Sequence, residues 1–202
     1  MAVKSFFAAV SPAVYGANGE PNANITVTEN LSKQGLGTID FINDGATDLL
    51  YAEANVLASE LASELQNGSD MKVKLQFAHL LSKIKFTFSH TFNHELTTVA
   101  VKNVCITNSP KSGSIDVTAD RLKWAWDLGE KGATIETVEL EFGDVNGGNA
   151  FAAGKDNACE SDVRLVIPSD IEDDLGVKID FKFDVIIYHN GVEADTFKDV
   201  TS

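Results

Sequence analysis

Apolar and polar residues alternate along much of this chain. Val73, Leu75 and Phe77 alternate with Lys72, Lys74 and Gln76; further on, Ile84, Phe86 and Phe88 alternate with Lys83, Lys85 and Thr87. Successive side chains of a strand point to opposite faces, so each run predicts a strand with one apolar and one wet face. The same style continues in "TTVAVKNVCIT" (97–107), "TIETVELEF" (134–142), "DVRLVIP" (162–168) and "VKIDFKFDVIIYH" (177–189), and the early "FFAAV" also reads as a strand. Asn190-Gly191 follows the last of these runs. Both central residues of a type I′ turn need positive φ, which Asn and Gly tolerate best, so strands over 177–188 and 192–200 are expected to pair antiparallel.

One segment departs from period two. "EANVLASELASELQNG" spaces Leu57, Leu61 and Leu65 four apart, with Val56 beside them, and ends at Gly68. That spacing predicts an amphipathic helix of about three turns that covers a sheet. The Gly- and Asn-rich stretches "YGANGEPNAN" and "GDVNGGNAFAAGKDN" read as surface loops. There is no clear internal repeat. A parallel α/β fold needs a helix after nearly every strand, so the pattern predicts an antiparallel β-sandwich with one short helix. The helix stop and the Val73 strand place a boundary near residue 70. Residues 1–70 would be a partial N-terminal β module ending in the helix, and 71–202 a β-sandwich module; the alternative is one continuous domain over 1–202.

Composition narrows the function. The 202 residues are 44% hydrophobic, enough for one large or two small domains. The net charge is −14 and the pI about 4.5. Nucleic-acid binding rests on Lys and Arg neutralising phosphates, so that class is disfavoured, as is docking on anionic lipid. No run of about 18 apolar residues is present to make a helical membrane span. The opening "MAVKSFFAAVSPAVYG" is a poor signal peptide. Cys105 and Cys159 match no metal spacing; two buried free thiols are the favoured reading and a disulfide between them is the alternative.

No catalytic constellation stands out. His90 and His94 are four apart in what reads as a turn, and no Glu completes H-E-x-x-H, so zinc is not expected there. His79 shares the parity of Val73, Leu75 and Phe77 and is expected at the core edge, hydrogen-bonded. Ser82 has no G-x-S-x-G elbow. The acidic "SDIEDDLG" (169–176) and the loop 144–157 lack EF-hand spacing, and no phosphate loop or G-x-G-x-x-G is present. Trp124 and Trp126 share a face by period two, which favours packing over a sugar platform.

A resemblance goes further. "DLLYA" (48–52) followed by "VKLQFAHLLSKIKFTF" (73–88) resembles the signature of the fimbrillin-like (Mfa-like) family, surface lipoproteins and pilus subunits of Gram-negative anaerobes. The matching positions are Asp48, Leu49, Leu50, Tyr51 and Ala52, then Phe77, His79, Leu81, Ser82, Lys83 and Ile84. "SFFAAVSPAVYG" is similar to the family's aromatic strand ending in proline, and "RLVIPSD" (164–170) to its later strand, with Ser169 where glutamine is usual. The resemblance implies Greek-key, transthyretin-like β-sandwiches and a non-enzymatic subunit without cofactor or metal. It also implies partnership with other fimbrial subunits by strand exchange, and a place at the outer-membrane surface. Membrane attachment would come only through a lipid anchor, for which this chain shows no lipobox cysteine. On this reading the signature residues are structural. Val73, Leu75, Phe77, Ile84, Phe86 and Phe88 would be core, with His79 and Ser82 satisfying backbone groups at the bend between them. The rival expectation is a surface glycan-binding β-sandwich that uses Trp124, Trp126 and Tyr188 as stacking platforms.

Overall fold

The computed structural model describes residues 4–29, 37–57, 59, 60, 62, 72–118, 124–130, 134–168 and 179–201. It is all-β. Among the described residues the strands run in chain order as β1 (Lys4–Ser11), β2 (Ile25–Thr28), β3 (Thr38–Ile42), β4 (Leu50–Leu57), β5 (Ala78–His79), β6 (Ser82–Ile84), β7 (Thr87–Phe88), β8 (Thr97–Pro110), β9 (Ser112–Asp116), β10 (Trp126–Asp127), β11 (Thr137–Gly143), β12 (Phe151–Ala152), β13 (Cys159–Glu160), β14 (Arg164–Val166), β15 (Phe181–His189) and β16 (Val192–Thr201). They group into two compact units, each assembled from separate stretches of chain. One holds residues 1–42, 47–82 and 112–129, and the other 43–46, 83–111 and 130–202.

The first unit carries two sheets, β1-β4-β5 and β10-β9-β3-β2. β1 pairs with β4 over eight residues, from Lys4 opposite Leu57 to Ser11 opposite Leu50. This ladder overrides the helix expected from Glu53 onward, because Glu53 to Leu57 are strand. Those residues also alternate in exposure, and a paired partner strand outweighs intrinsic helix preference. Ser59, Glu60 and Ala62 are helical, and the Glu60 carboxylate accepts the Leu57 N–H at 3.1 Å, half of a capping box. Leu61, Leu65 and Gly68 lie outside the described residues. Ile39, Phe41, Leu49, Tyr51 and Ile115 are among the buried side chains of this unit.

A second expectation fails at residues 72–77, which belong to no strand. Val73 and Leu75 are half-buried between exposed neighbours, but Phe77 is 43% exposed. The short β5 ladder explains it. Ala78 pairs opposite the buried Tyr51, and this turns Phe77 and His79 to the other face.

The second unit is built on the five-stranded sheet β11-β8-β15-β16, with β12 also on β8. Two small sheets, β13-β7 and β14-β6, complete its strands. Val99, Val101, Val104, Ile106, Leu140, Phe142 and Val166 form its core, with Ile84, Phe86, Phe88, Phe181 and Phe183 packed against them. Asn190 and Gly191 take φ of 51° and 76° between the paired His189 and Val192, the turn the Asn-Gly signal predicts. The loop 143–157 is less superficial than its composition implies. Val145 is fully buried and Phe151 nearly so, because Asn146 and Gly147 adopt left-handed φ and turn the chain at once after Val145.

Phe86 meets the rings of Phe142, Phe181 and Phe88 at centroid distances of 4.9, 5.1 and 6.3 Å. An uncompensated charge placed among them costs about 3–5 kcal/mol. Phe86→Asp is therefore expected to abolish the cooperative melt of this unit, which circular dichroism or calorimetry would read directly.

Candidate functional site

The signature residues that belong to the first unit, Asp48 to Ala52 and Phe77 to Ser82, lie around the start of β4. Leu49 is fully buried, and its carbonyl oxygen accepts the Leu80 N–H at 2.9 Å. Tyr51, 1% exposed, donates its hydroxyl to Glu53 at 3.2 Å and meets Trp124 edge-on at 5.1 Å. Leu80 and Leu81, between the two short strands, are buried. The Leu80 carbonyl accepts the Trp126 indole N–H at 2.9 Å, while the Trp126 ring tilts against Phe41 at 6.3 Å. Gly113 makes room for that ring, since a Cβ there would sit 3.0 Å from it and 2.9 Å from Leu128.

The structure thus separates residues that the motif lists together. Leu49 and Tyr51 are core, and Ile84 packs on the core of the second unit. Asp48 and His79 form a surface pair, Nδ1 to carboxylate at 2.8 Å, with side chains 37% and 70% exposed. His79 is therefore not a core-edge histidine. The backbone at the bend is satisfied by Leu49 and Trp126, while Ser82 and Lys83 are exposed. Trp124 and Trp126 are half-buried in the contacts above, and Tyr188 is half-buried in β15 opposite Glu193 and Thr98.

A second feature, which sequence reading missed, lies on the second unit's sheet. In β8 the core-facing residues are Val99 and Val101, then Val104 and Ile106. Strict alternation would have continued to Asn103 and Cys105. Asn103 adopts φ 52°, and six residues of β8 (Val101 to Ile106) span the same ladder as five of β15 (Val185 to Phe181). It is a bulge that resets the phase of the strand. β16 has its own bulge beside it, with Asp199 at φ 51°. Asp184 on β15 braces both: its carboxylate accepts the Asn103 amide at 2.8 Å and the Asp199 N–H at 2.9 Å. The Asp199 N–H, then the Asn103 amide, hold the Asp184 carboxyl below its ordinary value of 3.8.

The bulges open a cleft of about 340 Å³ whose lining includes Cys105, Glu139, Lys182 and Asp184. The Cys105 thiol donates to Glu139 at 3.1 Å, and Glu139 pairs with Lys182 at 3.0 Å. Burial, followed by the Glu139 carboxylate, pushes the Cys105 thiol up to about 11. Both cysteines are free. A thiol so held stays protonated at neutral pH and is a poor nucleophile. Cys105 and Glu139 stand 34 residues apart, and no spacing rule links them; the only sequence hint was that Asn tolerates left-handed φ.

Several antiparallel sheets and a signature that serves mainly packing define a protein of all-β architecture. A fimbrillin-like family model matches residues 2–199, and the chain belongs to the fimbrillin-like family. This is a family of pilus structural subunits rather than of enzymes, placed at the cell surface in fimbriae. No curated protein and no solved structure matches the chain.

Two outcomes follow from these contacts. Leu49→Ala is expected to cost about 2–5 kcal/mol of stability, whereas His79→Ala, which breaks only an exposed pair, costs under about 1 kcal/mol. Denaturant melts of the two variants measure the contrast. Asp184→Ala removes two charge-assisted hydrogen bonds and is expected to cost about 1–3 kcal/mol at neutral pH. Because the folded carboxyl is depressed, that stabilisation is present above the ordinary value of 3.8 and is lost as pH falls through the lower folded value. Melts of wild type and variant should therefore converge in acid.

Proposed function

We propose that this chain is a cell-surface fimbrial subunit, or a fimbria-associated adhesin, that joins other fimbrial subunits by β-strand exchange into a homo- or hetero-polymer. The family match over residues 2–199 carries the reading. The physics comes from sheet edges. β16 and β1 each end a sheet, and the outer edge of each has no ladder partner among the described residues. A strand from a neighbouring subunit would pair the free amides of such an edge. On β16 it would also cover Phe197, which is 48% exposed. The same exposure makes a free subunit prone to sticking, and a net charge of −14 opposes that by mutual repulsion. Attachment to the outer membrane would run through a lipid anchor. No described helix is long and apolar enough to cross a membrane.

The test is extraction of the native gene product from the cell surface, followed by unboiled denaturing gels and electron microscopy. Ladders of detergent-resistant oligomers and thin filaments are expected. A product that stays strictly monomeric at every concentration removes the polymerisation reading.

A further inference from the structure

We propose that His94 and His189 form a binding site for a borderline divalent metal ion such as zinc, nickel or copper. The two rings lie 4.6 Å apart between centroids, with planes 69° apart. Two imidazoles bound to adjacent positions of one ion, each at about 2.0–2.1 Å, have centroids about 4.5–5.2 Å apart. The centroid separation of the pair therefore falls within the ligating range.

The backbone holds that separation. His189 is the last residue of β15, paired with Thr97 of β8 on one side and Val192 of β16 on the other. The Thr97 N–H donates to the His94 carbonyl at 2.9 Å, and the Asn190 N–H donates to the Leu96 carbonyl at 2.9 Å. The turn that carries His94 and the hairpin turn that follows His189 are thus tied to each other. A site fixed before the ligand arrives loses less entropy on binding. Both histidines are exposed, so an ion reaches them from solvent.

The other two histidines are occupied elsewhere. His90 directs Nε2 to the Phe151 carbonyl at 3.0 Å and packs on Phe92 and Phe151, and His79 is bonded to Asp48. Among the described residues no group of three or more His, Cys, Asp or Glu converges on one metal position. The ion would keep water in its remaining positions, which makes this an open, exchangeable site and not a structural zinc. Imidazole ligands select the borderline metals, whereas calcium and magnesium take oxygen donors.

The experiment is calorimetric titration of the untagged full-length chain with zinc chloride, read alongside the histidine ring resonances by NMR. One saturable site is expected, with a dissociation constant on the order of 10–100 µM. His94→Ala and His189→Ala should each weaken it by about tenfold or more, and His90→Ala should leave it unchanged. In the unsubstituted chain the rings of His94 and His189 should respond together and those of His79 and His90 should not, a readout independent of any variant's folding. The absence of saturable binding up to about 1 mM zinc overturns the proposal. So does undiminished affinity in the His94→Ala/His189→Ala double variant.

Discussion

The second unit depends on one extra residue in β8. This strand has partners on both edges, β15 along one and β11 and β12 along the other, so a shift in its 14 residues has to be absorbed within paired ladders. Without the bulge at Asn103, the alternation that buries Val99 and Val101 would have carried Asn103 and Cys105 into the same core. With it, Val104 and Ile106 take those places, and Cys105 moves to the opposite face beneath Glu139 and Lys182. The cost of a left-handed Asn is small, because its side chain can hydrogen-bond locally, and here it bonds Asp184. The matching bulge at Asp199 leans on the same carboxylate. One aspartate on β15 thus sets the phase of the strands on either side.

The first unit depends on short contacts around the bend at Leu80 and Leu81. Leu80 sits between two strands of two and three residues, too short to hold a bend by themselves. Its N–H and C=O go to Leu49 and Trp126, from distant parts of the sequence, and both partners are anchored in aromatic and aliphatic packing. Trp126 therefore does the work of a backbone strand at this point. Gly113 is needed for the same reason, since any side chain there would displace the indole.

Exposed edges and the acidic surface belong to one physical picture. β16 presents ten residues at the rim of a sheet, yet it carries Glu193, Asp195, Lys198 and Asp199 and is kinked by its bulge. Charge and a bulge are ordinary means of discouraging indiscriminate pairing at an edge. A flat apolar edge without them would be open to aggregation.

Strand identity was legible in the sequence wherever a long run of alternating residues met another such run, and so was the face up to the point where a bulge reset it. The strands Thr97–Pro110, Thr137–Gly143 and Phe181–His189 over the predicted runs, the Asn190-Gly191 hairpin and the all-β class follow from period two and turn chemistry alone. The core role of Ile84, Phe86 and Phe88 is read the same way. The fimbrillin-like signature was also visible, because its short motifs keep their order along the chain. Pairing partners were not. Glu53 to Leu57 satisfied a helical spacing and an alternating one equally well, and only the neighbouring β1 decided between them. His79 had the parity of Phe77, but the β5 register turned that parity outward. The bulges at Asn103 and Asp199, the thiol under Glu139 and the meeting of His94 with His189 join residues far apart in the chain. Local pattern determines which face a residue shares with its neighbours; which way that face points, and what it meets there, is decided by strands that only the folded chain brings alongside.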